Sequence, residues 1–409
     1  MIKIMNIKNL LLVIFQIILI IYSLETLLYL SLGDEQKLLH NIKGKRIELA
    51  KEMNLQYDIR DEAEVYLTEK KKNNNLYIPF FFHKSTFSTD FVKNLISKNN
   101  LVPFRGPINK QTLSCDESLN YKIINNDKYG FKNPNKVYEN KIDIVLIGDS
   151  YTEGFCEDEN NDVAGHLRKK NLNSVNLGVA GSGPLLSLAI SREYFENLKP
   201  KYVVYLYFEG NDLLDLSWEN TIFLKNYLQP EYKLNYISQN FSIQKTLEEF
   251  QKEKDIELSS REIAKNTYIK KGNNFFSIIK DILEIRNIKG ILRSSILSNK
   301  NINDLNLFYE VVNSIKNEAE LNGSKFIFIY LPSWSRYFEK FNDDLSIFNK
   351  KKEIIANIRS KGIYTIDFEE IFSKINNKKD FFPLGFIGHY NSAGYNLISI
   401  EIANEIKKQ

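Results

Sequence analysis

The stretch Ile144 to Phe155 reads IVLIGDSYTEGF, an apolar run that ends abruptly on Gly148-Asp149-Ser150. Branched apolar residues bounded by turn chemistry are the pattern of an interior strand in a parallel sheet, where ligands sit beyond the carboxyl ends of the strands. Ser150 is therefore expected where chemistry takes place. The same three residues also suit a plainer role, because Asp and Ser accept hydrogen bonds from the free N–H groups that open a helix. This stretch alone leaves both readings open.

From this strand outward the pattern is regular. Further apolar runs cover 175–177, 202–207 and 326–331, with a fifth at 363–367, the first run itself beginning at 142. Helical stretches lie between them, among them 185–198 after Pro184, and 303–322 ending at Gly323. Strands alternating with helices predict an α/β fold with a parallel sheet covered on both faces. The segment 218–300, rich in Lys, Glu and Ile, interrupts this alternation and reads as a mostly helical insertion, suited to a lid or a partner surface. No fold is assigned to 34–124, which is charged and Asn-rich apart from the apolar patch LYIPFFF at 76–82.

With 409 residues, of which 43% are hydrophobic, the chain can bury a large core. Its 55 Lys and Arg against 51 Asp and Glu leave a net charge of +4, too small and scattered for a nucleic-acid-binding face. The stretch 9–33 (NLLLVIFQIILIIYSLETLLYLSLG) carries Glu25 as its only charge and follows Lys3 and Lys8. About 20 apolar residues span a bilayer, and lysines ahead of the span favour a cytoplasmic N-terminus with the remainder outside. A cleaved signal peptide shares this pattern but calls for a small-residue cleavage site, which is not evident here. The expectation is an uncleaved anchor over 1–33 and an extracytoplasmic domain. The four histidines, His40, His83, His166 and His389, show no metal-ligand spacing, and two cysteines are too few for a zinc site by themselves.

Four separated pieces fall at strand ends: 148–154 (GDSYTEG), 176–183 (NLGVAGSG), 209–212 (EGND) and 388–391 (GHYN). Each has an ordinary reading, as turn glycines, turn residues or a surface histidine. Together they supply the parts for acyl transfer. A serine hydroxyl needs a base to become a nucleophile, and a neutral imidazole serves at neutral pH. The tetrahedral intermediate needs preorganised donors for its oxyanion, for which the N–H groups of Ser150 and Gly181 and the amide of Asn211 are candidates. A phosphate-binding reading of 178–183 meets the order G-x-x-G-x-G rather than G-x-G-x-x-G and leaves Ser150 and His389 without a role.

The four blocks resemble the SGNH or GDSL superfamily of ester hydrolases, over about 125 to the C-terminus, and the lead-in 125–134 (NNDKYGFKNP) is similar to that of extracytoplasmic members. The resemblance implies a flavodoxin-like three-layer sandwich with a five-stranded parallel sheet and no cofactor. It implies Ser150 as nucleophile, Gly181 and Asn211 as oxyanion donors and His389 as base. It further implies acylated cell-surface glycans as first-choice substrates, with lipid esters second. An O-acyltransferase using the same serine, and a tethered glycan-binding protein with a weakened site, are the alternatives. Two positions depart from the pattern. Glu209 stands where glycine is usual, and Phe386 where an aspartate would orient His389, so a Ser150–His389 pair without an acid in that place is expected. Asp367 and Asp380 are the nearest substitutes in sequence, Asp367 being the more natural turn residue.

The only two cysteines, Cys115 and Cys156, lie just ahead of the lead-in and just after the serine loop. In an extracytoplasmic domain such a pair permits a disulfide, whereas in a reducing compartment it would be two buried thiols. The bridge is the expectation, with α-carbons closer than about 7 Å.

Overall fold

A computed structural model describes residues 7–31, 42–98, 101–115, 117–269, 305–338 and 346–408. Two compact units are present, Met1–Glu48 with Ile263–Ile302 and Leu49–Glu262 with Asn303–Gln409. In the first, the helix Ile7–Ser31 runs for 25 residues. Its described apolar side chains are largely exposed, Phe15 at 63% and Ile20 at 64% among them. Among the described residues, however, no helix is long and apolar enough to cross a membrane, so the anchor expected over 1–33 is not shown by the structure.

The second unit holds two sheets. A small one joins β1 (Leu76–Tyr77), β2 (Gln111–Leu113) and β3 (Ile123–Asn125), from the stretch that sequence reading left without a fold and the first residue of the lead-in. The large one has five strands: β4 (Ile144–Gly148), β5 (Ser174–Asn176), β6 (Tyr202–Phe208), β7 (Lys325–Leu331) and β8 (Tyr364–Asp367). Their order is β5-β4-β6-β7-β8, and every pairing is parallel. This is the flavodoxin-like doubly wound order, in which the chain reverses direction across the sheet between its first and third strands, here β4 and β6. The blocks following these two strands, at Ser150 and Asn211, thus flank the crevice where such sheets bind ligands.

β4 and β6 are buried along their whole length, which is why neither alternates polar and apolar residues. One sheet face packs Ile144, Leu146 and Val204 against Tyr395, Ile398 and Ile402 of the C-terminal helix Ser392–Lys408. The helices Pro184–Leu198 and Leu305–Leu321 are also heavily buried, including Arg192 and Glu318, which pair at 3.0 Å.

The insertion is helical where described, as Asn240–Ile269; residues 270–300 lie outside the described residues. Rather than standing clear as a lid, its first turns hold the N-terminal segment. Asn240 accepts from Arg105 at 2.6 Å, and Gln244 from the Ile108 N–H at 2.8 Å. Gln251 accepts from the Ile78 N–H at 2.7 Å, and Asp255 from the Tyr66 hydroxyl at 2.6 Å. Residues 49–124 therefore share a compact unit with the large sheet.

Candidate active site

Gly148 closes β4 at φ 145, and an added Cβ there would lie 2.7 Å from the Leu206 carbonyl oxygen of β6. The chain then turns at once into the short helix Ser150–Glu153. Asp149 caps it, accepting from the Tyr151 N–H at 2.9 Å, so the plainer reading of this stretch holds for Asp149. Ser150 is left facing the site, 9% exposed. Gly154, left-handed at φ 69, ends the helix.

His389 lies across from it, reached from the loop before the last helix. The Ser150 hydroxyl is 2.8 Å from His389 Nε2. Behind the ring, Nδ1 is 3.1 Å from both carboxylate oxygens of Glu117, and the His389 backbone N–H donates to Glu117 Oε2 at 2.7 Å. A carboxylate only accepts, so Nδ1 carries the proton and Nε2 presents its lone pair to Ser150. Tyr151 packs over the imidazole with centroids 4.5 Å apart, and Phe155 meets it edge-on at 5.2 Å. Burial pulls the His389 pKa down, but the charge and hydrogen bond of Glu117 overcome this, and it sits above the ordinary imidazole value.

Phe386 does leave its place without an acid, but the Ser150–His389 pair does not lack one, and neither Asp367 nor Asp380 supplies it. An acid is present, but it comes from the β2–β3 loop, more than two hundred residues away in sequence, and not from the block that carries the histidine. Phe386 packs on Trp334 with centroids 5.8 Å apart. Asp367 is a turn residue, capping the helix Phe368–Ser373 and pairing with Lys351 at 2.8 Å. Asp380 is exposed, and its backbone carbonyl accepts from the Asn391 amide.

Gly181 is held beside the serine helix by several bonds. Asn176 donates to the Thr152 carbonyl at 2.8 Å, and Glu153 accepts from the Ala180 N–H at 2.6 Å. Asn133 of the lead-in pairs with the Asn176 backbone, its amide on the carbonyl and its oxygen on the N–H, both at 2.8 Å. Gly181 has φ 80, and a Cβ there would stand 3.2 Å from the Phe82 carbonyl oxygen. Among the described residues, neither the Ser150 nor the Gly181 backbone N–H has a hydrogen-bond acceptor.

Asn211 stands differently. Its amide donates to Asp215 at 2.8 Å, and its buried carbonyl oxygen has no hydrogen-bond partner among the described residues. Asp215, also bonded by Trp218, is pushed up to about 8 by burial and then by the charge of Asp149. Asp149 is itself raised to about 6, by burial. Asn211 thus adjoins a buried acid cluster behind the serine, with one amide N–H held by Asp215. Glu209 is turned to the loop after β7. Buried at 1% exposure, it takes hydrogen bonds from Tyr330 at 2.6 Å, Ser333 at 2.8 Å and the Arg336 guanidinium, fixing the loop after β7.

Cys115 and Cys156 are joined by a disulfide, with α-carbons 5.2 Å apart. Glu117 was the functional residue that sequence reading missed, although the signal was present. A bridge from Cys115 to a cysteine six residues past Ser150 brings Glu117, two residues beyond Cys115, to the site.

No family model and no curated protein matches the chain. Among solved structures it is similar to a GDSL-like lipase from Bacteroides thetaiotaomicron VPI-5482. That match has 14% identity and a TM-score of 0.34, over 66% of this chain and 89% of the other. It is also similar to a structure named as an acylhydrolase from Bacteroides fragilis NCTC 9343. Here the identity is 16% and the TM-score 0.34, over 66% of this chain and 88% of the other. Likeness at this level carries no argument about chemistry. What the site does has to be read from its own geometry.

Proposed function

We propose that the protein is a serine-dependent ester hydrolase. The observation that carries this reading is the continuous bond from Ser150 through His389 to Glu117, a nucleophile, base and orienting acid in hydrogen-bond sequence. His389 Nε2 takes the Ser150 proton as Oγ attacks the ester carbonyl, and Glu117 stabilises the imidazolium. The two open N–H groups of Ser150 and Gly181 receive the oxyanion. Collapse of the intermediate expels the alcohol, which takes the proton from His389, and leaves an acyl-serine. Water, deprotonated by the same imidazole, then attacks the acyl group and frees the acid and Ser150. Asn211 is the proposed third oxyanion donor through the second N–H of its amide, the first being held by Asp215.

Acyl groups on cell-surface glycans are the proposed substrates, and the domain is proposed to lie outside the membrane. The disulfide, which persists in oxidising compartments, supports this placement. So do the exposed apolar side chains of the helix Ile7–Ser31, proposed as its anchor. Acetate release from small acetyl esters and acetylated glycans tests the reading. Ser150→Ala is expected to lower the rate by about 10³-fold or more. Release at the wild-type rate by that variant would refute the nucleophile and favour a binding protein. Acetyl transfer to a sugar in preference to water would make the protein an acyltransferase.

A further inference from the structure

Three features of the β2–β3 loop bear on how Glu117 is held. β2 ends at Leu113 and β3 begins at Ile123, and their ladder closes with the Ser114 N–H on the Lys122 carbonyl at 2.7 Å. Beyond that rung the far limb of the loop is fastened at Leu119, whose carbonyl accepts from Asp58 at 2.8 Å, and at Lys122, which pairs with the half-exposed Asp158 at 3.1 Å. The near limb is fastened covalently at Cys115, one residue short of Glu117's neighbour, to Cys156. Cys156 itself follows the serine helix and is left-handed at φ 70, a conformation uncommon for a residue with a side chain. Cys115, Glu117 and Cys156 lie together, with a ligand-type atom of each within 4.8 Å of the others.

From these we infer that the Cys115–Cys156 disulfide is a positioning element of the active site: it fixes Glu117 against His389 by tying the acid's loop to the nucleophile's loop. The inference rests on the proposed hydrolase reading. An acid supplied from the histidine's own block would need no such tie, because the backbone would already fix its distance. Here the acid belongs to a loop of a different sheet. Without the bond, the near limb that carries Glu117 loses its covalent tie to the serine loop, and the hydrogen bonds of Glu117 to His389, with the Lys122–Asp158 pair on the far limb, must bear more of the entropic cost of ordering it. The bridge removes that cost before substrate arrives.

The test is a mutant cycle read on kcat, KM and the pH profile with a small acetyl ester. Glu117→Gln is expected to cut kcat by about 10²- to 10⁴-fold with KM little changed. The paired substitution Cys115→Ser with Cys156→Ser is expected to cut kcat by tenfold or more and to move the acidic limb in the same direction as Glu117→Gln. The triple variant is expected to be no slower than Glu117→Gln alone, because both changes remove one interaction. Should the serine variant fold poorly, the folded wild type is treated with a dithiol. The dithiol passes two electrons and two protons to the cystine, giving two cysteine thiols and its own cyclic disulfide, and thiol titration confirms the reduction. Reduction should slow the wild type and leave Glu117→Gln unchanged. An unchanged kcat and pH profile in the reduced or serine form, or losses that multiply in the triple variant, would overturn the inference. Failure of the hydrolase reading is separate, since it appears as no ester turnover by the wild type, or as full activity in Ser150→Ala.

Discussion

At Ser150 the proton inventory is set by one carboxylate. Because Glu117 holds His389 above the ordinary imidazole value, while burial alone would lower it, the base is free of its proton only on the alkaline side of that raised pKa. The acidic limb of kcat/KM therefore reports His389. Glu117→Gln removes the charge and leaves burial, so the limb is expected to move to lower pH as the maximal rate falls; pH-rate profiles of the two proteins check this. Asp367→Asn and Asp380→Asn are expected to remain within about twofold of wild type, since one carboxylate caps a helix and the other faces solvent. Stopped assays on the three variants distinguish the orienting acid from the two that only looked suitable. Sequence reading found Ser150 and His389 because each follows a short, patterned block. It could not find Glu117 in the same way, because a single acid in an unpatterned loop has no period or spacing to mark it.

Among the elements, the end of β4 is the most constrained. Substituting Gly148→Ala would place a methyl group 2.2 Å from the Thr152 hydroxyl and 2.7 Å from a β6 carbonyl oxygen, at a φ of 145 that side chains rarely adopt. The expected cost is about 3 kcal/mol, combining overpacking with backbone strain. A lower urea midpoint at unchanged slope would show it. The strands were legible because burial on both faces leaves continuous apolar runs, and the runs at 142–147 and 202–207 differ from β4 and β6 by a residue or two. The small sheet was not legible. Its strands are only two or three residues long, and they are held by side chains of the distant helix Asn240–Ile269, such as Gln251 on Ile78, that local pattern cannot reveal. Asn211 was legible as a block residue but not as a partner of Asp215, because that bond depends on the burial of Asp215.

For the molecule as a whole, the buried acids behind the serine make stability depend on pH in the direction opposite to ordinary salt-bridged carboxylates. Asp215 titrates near 8 when folded and near an unperturbed value of about 3.9 when unfolded. Between those values the folded chain keeps a proton that the unfolded chain releases, so this contribution is present below pH 4 and is lost as pH rises through 8. The slope is about 1.4 kcal/mol per pH unit for one such proton. Urea unfolding of wild type and Asp215→Asn at pH 5, 6 and 7 should give slopes that differ by about that amount, the variant losing less stability with rising pH. The route by which Glu117 reaches the site has a consequence for where the protein can be cut. A fragment starting at the lead-in, near residue 125, would retain the large sheet, the serine and the histidine, and a search for the four blocks would score it as whole. It would nonetheless lack its carboxylate and one half of its crosslink. The shortest piece that keeps Glu117 on His389 and the crosslink must reach back past Cys115. Because the helix from Asn240 grips the chain as far back as Tyr66, a practical boundary lies ahead of the helix Glu62–Lys72. Phe386, for its part, packs its ring against Trp334.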